Sequence, residues 1–238
     1  MVVTLPLIMI LLDYWPLKRF DSRKNNLLVW QVKEKLSFFI LSGIVALINA
    51  YNPNYSVKRY LSLGYRILND PIAFVTYILK TFWPYDMTVF YAFPAQIPLL
   101  QVLGALFLII MISIIAIVMV KRLPYLFVGW FWYMITLLPI MLVLIDEKYA
   151  IADRYHYLPS VGISVMVAWL APCLFKSATL RKKILFPATM IFLMVLTSLT
   201  WKQCGYWKNS IALWNHALLV IKDNVFAHNM LGMAYFEK

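Results

Sequence analysis

The stretch LLQVLGALFLIIMISIIAIVMV, residues 99–120, runs for 22 positions without a single charged side chain. About 20 apolar residues in a helix cross the roughly 30 Å of hydrocarbon in a bilayer, so this segment is long enough to span one. It is not isolated. Residues 123–145, 155–175 and 184–201 are similar runs, the last slightly short, and residues 36–51 form a fifth that continues uncharged through Asn52-Pro53-Asn54. The chain of 238 residues is 63% hydrophobic and 13% charged, whereas soluble domains average about 45–50% and 25%. The fold class expected is therefore all-α, a polytopic bundle of about six membrane helices, with the lipid bilayer as its first partner.

The opening run is shorter, with twelve residues before Asp13. That length predicts the tail of a helix entered partway, as in a fragment of a longer protein; a short re-entrant or interfacial start is the alternative.

Lys and Arg total 22 against 10 Asp and Glu, a net charge of +12. On a soluble protein this would point to nucleic acid; on a membrane protein it reports orientation, because basic loops stay cytoplasmic. Lys18, Arg19, Arg23, Lys24, Lys33 and Lys35 crowd the first loop. Lys121 and Arg122 form a second, and Lys176, Arg181, Lys182 and Lys183 a third. These twelve belong inside, and no nucleic-acid partner is expected. The loop DEKYAIADR, residues 146–154, carries three acids against two bases and falls outside, as does everything after Trp201.

This topology requires residues 58–98 to begin and end outside without a net crossing. Lys58, Arg59, Arg66, Asp70 and Lys80 interrupt that segment, while Phe74, Tyr77, Ile78, Phe82 and Trp83 give it an interface-seeking face. Residues 67–83 read as an interfacial helix on the outer leaflet.

From Trp207 the chain becomes amphipathic. Two helices are expected, broken near Asp223-Asn224, where an Asx side chain can cap the second. Leu231-Gly232 followed by Tyr235 matches the L-G-x-x-Y core of a tetratricopeptide helix, in which the glycine admits a close neighbour. Trp214 and Ala217 occupy the bulky and small positions of the preceding helix. The domains expected are a membrane domain over 1–201 and an incomplete tetratricopeptide-like hairpin over 206–238.

The densest chemistry lies in ADRYHYLP, residues 152–159, where an outer loop enters a span. Ionisable groups at membrane depth are costly and mark functional sites. Arg154 can hold a phosphate through its planar fork, and Asp153 can orient that arginine or bind a metal. His156 can move protons near neutral pH. Tyr155 and Tyr157 can stack on a sugar or anchor the interface. An ion pair pinning the loop beneath an ordinary aromatic belt is the structural alternative. Asp86, in an aromatic-rich outer loop, can meet a glycan or lipid head group, or be a solvated loop acid. Asp13 reads as structural.

Several chemistries have no signature here. His216 and His228 lack metal-ligand spacing, no metal site is expected, and phosphate loops, zinc-protease helices and nucleophile elbows are absent from the sequence. Two cysteines, Cys173 and Cys204, make no disulfide framework. Asn54-Tyr55-Ser56 is an N-glycosylation triplet.

The blocks VTLP (3–6), LLDYWPL (11–17), KTFWP (80–84), FYAFP (90–94), PYLFVGW (124–130) and ADRYHYLP (152–159) resemble those of bacterial multi-pass membrane proteins with C-terminal tetratricopeptide repeats. These are similar to the animal TMTC-type protein O-mannosyltransferases. The resemblance implies a glycosyltransferase fold of the GT-C class, taking sugar from a polyprenyl-phosphate donor while the repeats present an acceptor protein. It also implies a catalytic acid in an N-terminal module that these residues do not include, so this chain alone is expected to be inactive. No resident cofactor is expected, with a divalent cation left open for the full-length parent. His156 departs from relatives that carry a hydroxyl residue there. The implied location is the bacterial inner membrane, with the C-terminal hairpin on the extracytoplasmic side. The competing reading is a noncatalytic anchor displaying a tetratricopeptide scaffold. A transporter would show paired Gly- or Pro-broken helices, which these spans lack.

Overall fold

The structure, a computed structural model, describes residues 2–19, 27–51, 63–94, 96–139, 141, 150–174, 177, 179 and 181–237. The triplet 54–56, the acids Asp146 and Glu147, residues 142–145 of the second run, and the bases Arg23, Lys24, Lys58, Arg59 and Lys176 lie outside the described residues.

Ten α-helices make up the described chain, which is all-α. They are α1 (Leu5–Tyr14), α2 (Leu27–Glu34), α3 (Leu36–Tyr51), α4 (Leu63–Phe82), α5 (Leu99–Val118), α6 (Pro124–Pro139), α7 (Tyr157–Leu174), α8 (Phe186–Tyr206), α9 (Ser210–Val220) and α10 (Val225–Phe236). Prolines set several starts. Pro6 and Pro187 lie in the first turns of α1 and α8, Pro98 caps α5, and Pro124 opens α6. There the missing N–H is no loss and the fixed φ is already helical.

Three segments are long and apolar enough to cross a membrane: Leu99–Val118, Asp153–Cys173 and Lys182–Tyr206. α3 coincides with the fifth apolar run, but its 16 residues fall short of a full crossing. α8 runs past Trp201 to Tyr206, so the boundary expected at 201 moves outward by more than a turn. None of its residues is buried, as suits a helix solvated by lipid.

The helices sort the chain's loops between two ends. At one, the Tyr14 hydroxyl donates to the Val120 carbonyl at 3.4 Å, and Trp15 meets Trp169 edge-on at 5.2 Å. The Tyr125 hydroxyl lies 3.2 Å from the Cys173 thiol at that end. Lys121, Arg122, Arg19 and Lys35 therefore cluster together. Lys182 and Lys183 lie in the short helical turn Arg181–Leu185 that leads into α8, whose 21 residues span about 31 Å. One of these bases is corrected by its surroundings: Lys35, counted from sequence among loop charges, is buried. Its ammonium pairs with buried Asp13 and donates to Gln31 at 2.7 Å. Arg19 adds a second bond to Asp13 at 3.2 Å.

α4 crosses the opposite end. Tyr65 packs on Phe93, Asn69 donates to the Ala150 carbonyl at 3.3 Å, Tyr77 bonds Ala152 and Thr81 meets His156. Its first and last turns thus contact two segments, 91–94 and 150–156, that are themselves joined by the Tyr91–Ile151 bridge. Its inward face is not merely interfacial, because Ala73, Phe74 and Tyr77 enter the core beside Trp130, Tyr133, Leu137 and Ile163. The Tyr133 hydroxyl donates to the Phe74 carbonyl at 2.6 Å, which satisfies a buried polar group.

α6 and α7 make the closest helix crossing, at Gly129 and Gly162. A Cβ on Gly129 would lie 2.5 Å from the Gly162 carbonyl oxygen. Small residues let backbones touch where lipid tails remove the hydrophobic drive between helices. Gly232 does not act this way among the described residues: nothing lies within 4 Å of where its Cβ would stand, because α10 has no further helix against that face.

Candidate functional site

The segment 150–156 folds back over the α4 end of the bundle because two tyrosines supply its missing backbone partners. The Tyr77 hydroxyl donates to the Ala152 carbonyl at 3.0 Å and accepts from the Ala152 N–H at 2.8 Å. Tyr91 and Ile151 form an antiparallel bridge, with the Ala150 N–H donating to the Tyr91 carbonyl at 2.8 Å. The loop carrying Asp86 is thereby tied to the stretch carrying Asp153 and Arg154.

Between them lies a cavity of about 720 Å³. Asp86, Asp153, Arg154 and Tyr157 line it, together with Lys202, Gln203 and His216 from α8 and α9. Four of the six residues singled out from sequence therefore line one cavity, although Asp86 and Asp153 lie 67 positions apart. Asp86 adopts a left-handed backbone, φ 46°, which aspartate tolerates better than most side chains. Arg154 is exposed, and its guanidinium lies 4.9 Å from the centre of the Tyr155 ring. Tyr157 stands at the rim, 79% exposed.

Tyr155 and His156 go elsewhere. Tyr155 packs against the core. His156 stacks flat on Tyr77 at 5.2 Å, meets Tyr133 edge-on at 6.0 Å, and places Nε2 2.5 Å from the Thr81 hydroxyl. It is not among the residues that line the cavity.

Asp153 has partners that sequence reading missed. The Tyr91 hydroxyl donates to Oδ2 at 2.6 Å, and the Lys80 ammonium lies 3.6 Å from Oδ1. Lys80 also donates to the Tyr91 hydroxyl, which accepts the Thr88 N–H at 3.0 Å. Burial pushes the Lys80 ammonium below its ordinary value, and Asp153 opposes that shift. Burial, reinforced by Asp153, pushes Tyr91 well above the usual tyrosine range, so its hydroxyl stays protonated and keeps donating. Lys80 and Tyr91 belong to the KTFWP and FYAFP blocks, but no spacing links either to a residue more than 60 positions away.

The hairpin residues also reach this end. Ala217 is fully buried, and Trp214 meets Phe226 edge-on at 5.7 Å across the α9–α10 seam. Leu231 and Tyr235 lie on α10, where Tyr235 is exposed. Among the described residues no three His, Cys, Asp or Glu side chains gather as a metal site. The site offers two cations, Arg154 and Lys202, two carboxylates and aromatic edges around a space of ligand size, and such an arrangement can hold an anionic head group joined to a polyhydroxylated one.

Comparison with known proteins finds 29% identity over 98 residues with Protein O-mannosyl-transferase F38B6.6 of Caenorhabditis elegans. The matched stretch covers 41% of this chain and 14% of the worm protein. No family model matches the chain, and no solved structure does. The similarity supports a glycosyltransferase-like relationship for an integral membrane chain.

Proposed function

We propose that this chain is the membrane module of a glycosyltransferase that takes sugar from a polyprenyl-phosphate donor and transfers it to protein. The observation that carries the reading is the cavity that gathers Asp86, Asp153, Arg154 and Tyr157 at the end opposite the basic loops. The similarity to an O-mannosyl-transferase supports the class of reaction.

In this reading the membrane domain has about six crossings in a GT-C arrangement, counting α3, the α1 segment and α6 with its continuation beside the three long spans. The basic end faces the cytoplasm of a bacterium, and the cavity opens on the outer side of its inner membrane. The α9–α10 hairpin begins a tetratricopeptide array that receives the acceptor, and the catalytic acid comes from a part of the protein beyond these residues.

The chemistry assigned to this chain is electrostatic. As the acceptor hydroxyl, giving its proton to the carboxylate supplied from beyond these residues, attacks the sugar's anomeric carbon, the carbon–oxygen bond to the phosphate breaks and negative charge grows on that phosphate. In this reading Arg154, which lines the cavity, stabilises that charge, and preorganised donors of this kind are usually the largest catalytic contribution. Asp153, held by Tyr91 and Lys80, fixes the wall beside it. Tyr157 offers a stacking edge for the sugar, and Asp86 an acceptor for its hydroxyls.

The test is Arg154→Ala in the full-length protein, assayed in membranes with radiolabelled polyprenyl-phosphate hexoses. Transfer should fall by about 100-fold or more, the loss typical of removing one oxyanion donor, with membrane insertion unchanged. Undiminished transfer removes Arg154 from the mechanism. The noncatalytic-anchor reading is favoured by one observation, the exposed face of α10 with Phe236 95% exposed. Wild-type protein that transfers no sugar yet retains a bound protein partner would establish that reading instead.

A further inference from the structure

Met87 and Phe90, in the outer loop beside Asp86, are gripped by the C-terminal hairpin. The Gln203 side-chain amide of α8 donates to the Met87 carbonyl at 3.1 Å, and His216 of α9 places Nε2 3.0 Å from the same oxygen. A carbonyl only accepts, so Nε2 carries the proton, and both lone pairs of one oxygen are taken by side chains from successive helices. Tyr206 stacks on the His216 ring at 3.7 Å and 4°, which fixes the imidazole plane.

Three residues beyond Met87, Phe90 meets buried Asn224, which works in two directions. Its Oδ1 accepts the Ala227 N–H at 3.0 Å as the cap of α10, while its Nδ2 faces the Phe90 carbonyl at 3.4 Å. The Phe90 ring stacks on Phe226 at 4.5 Å. The other side of the same loop holds the site, through Tyr91 on Asp153 and Ala150.

We propose that the α9–α10 hairpin, together with the end of α8, is a positioning clamp for the cavity: His216 of α9 and Gln203 of α8 through Met87, and Asn224 with Phe226 through Phe90, set the loop that places Asp86 and, by way of Tyr91, Asp153. The clamp makes the hairpin more than a tether. Any partner that shifts α9 against α8 moves the Met87 carbonyl, and with it the cavity lining that Asp86 and Asp153 supply. The consequence for catalysis rests on the cavity being the donor site; the mechanical coupling does not.

Hydrogen exchange of the full chain in lipid nanodiscs separates the two. In His216→Ala, exchange of peptides covering 84–94 and 150–156 should rise by about five- to tenfold, the effect of one lost hydrogen bond, while peptides within α5 and α7 keep wild-type rates. His216→Gln, which can still donate an N–H, should restore protection. Asn224→Asp keeps the helix cap but loses the donor to Phe90, so it should loosen 84–94 while α10 stays protected. Faster exchange confined to 210–236, with 84–94 unchanged in both variants, overturns the clamp. In the transfer assay the clamp variants should raise KM for the donor more than they lower kcat. Exchange coupling without any wild-type transfer would leave the clamp standing and remove the glycosyltransferase reading.

Discussion

Asp13 and Lys35 show what a single buried pair does at the basic end. Both side chains are almost wholly buried, and they join α1 to the turn between α2 and α3. Removing one partner strands the other charge, which costs about 3–5 kcal/mol, whereas replacing both with apolar groups of similar volume is often neutral. Lys35→Ala should therefore lower the thermal midpoint in detergent markedly, and Asp13→Leu with Lys35→Met should recover most of the loss. A double variant as unstable as the single one would show that the pair also serves the surrounding hydrogen bonds to Gln31 and Arg19. Tyr91 is the corresponding test at the cavity. Tyr91→Phe deletes the donor to Asp153 Oδ2 and the acceptor of the Thr88 N–H, while the Ala150 bond to its backbone persists. Sugar transfer should fall at least tenfold with the helix content of the protein unchanged, measured by circular dichroism beside the membrane assay. The sequence marked Asp153 and Asp13 as notable carboxylates, but their partners Lys80, Tyr91 and Lys35 stood among ordinary loop charges and belt aromatics. Pairings made across 22 to 73 positions leave no local spacing to read.

At the scale of elements, the Gly129–Gly162 crossing is where α6 and α7 depend on having no side chain at all. Gly129→Leu would drive its Cβ into the Gly162 backbone and the Met166 side chain. The overpacking cost is about 1–3 kcal/mol or more where backbone must move. The expected outcome is weaker α6–α7 packing, seen as faster proteolysis of the 139–152 connection and a lower thermal midpoint; Gly205→Leu, which meets open space, is the control and should leave both unchanged. Helix positions were largely legible in advance: the run at 36–51 coincides with α3, and 99–120 overshoots α5 by two residues. Asn224 caps α10 where an Asx cap was expected. Which helix faces pack was not legible, for a physical reason. In a soluble protein the apolar stripe points to the core, but lipid is as apolar as the interior, so α5 and α8 are apolar all round and carry no such pointer. α4 is the instructive exception. Its charges excluded it from the spans, and its Phe74–Tyr77 face is amphipathic enough to be noticed, yet that face enters the core instead of only resting at an interface.

For the whole molecule, the distribution of charge and the distribution of contacts are independent observations that agree. The bases Arg19, Lys121, Arg122, Lys182 and Lys183 gather at one end through the contacts of Tyr14, Trp15 and Tyr125 and the length of α8. Residues 84–94, 150–156 and the α9–α10 hairpin gather at the other through Tyr91, Gln203 and His216. Lys and Arg in short loops resist translocation, so the first end should face the cytoplasm and the second the outside. Single-cysteine variants of a protein with Cys173 and Cys204 replaced by Ser provide the measurement. Cysteine at Lys121 or Lys182 should react with a membrane-impermeant maleimide only after the cells are opened, and cysteine at Tyr157 or Ser210 should react in intact cells. α4 decides between the two ways of threading the chain. If it made a net crossing, the loop before α5 would lie inside and every later position would invert, so labelling at 121 and 157 would exchange together. If it lies across the outer end, the arrangement its contacts from Tyr65 to Thr81 favour, cysteines at Gly64 and Tyr85 should both be labelled in intact cells. A split result, with one of that pair protected, would mean that α4 makes a net crossing, and protection of Tyr85 would carry the whole cavity to the cytoplasmic side, because every residue lining it follows α4 and the 84–94 loop is tied to 150–156.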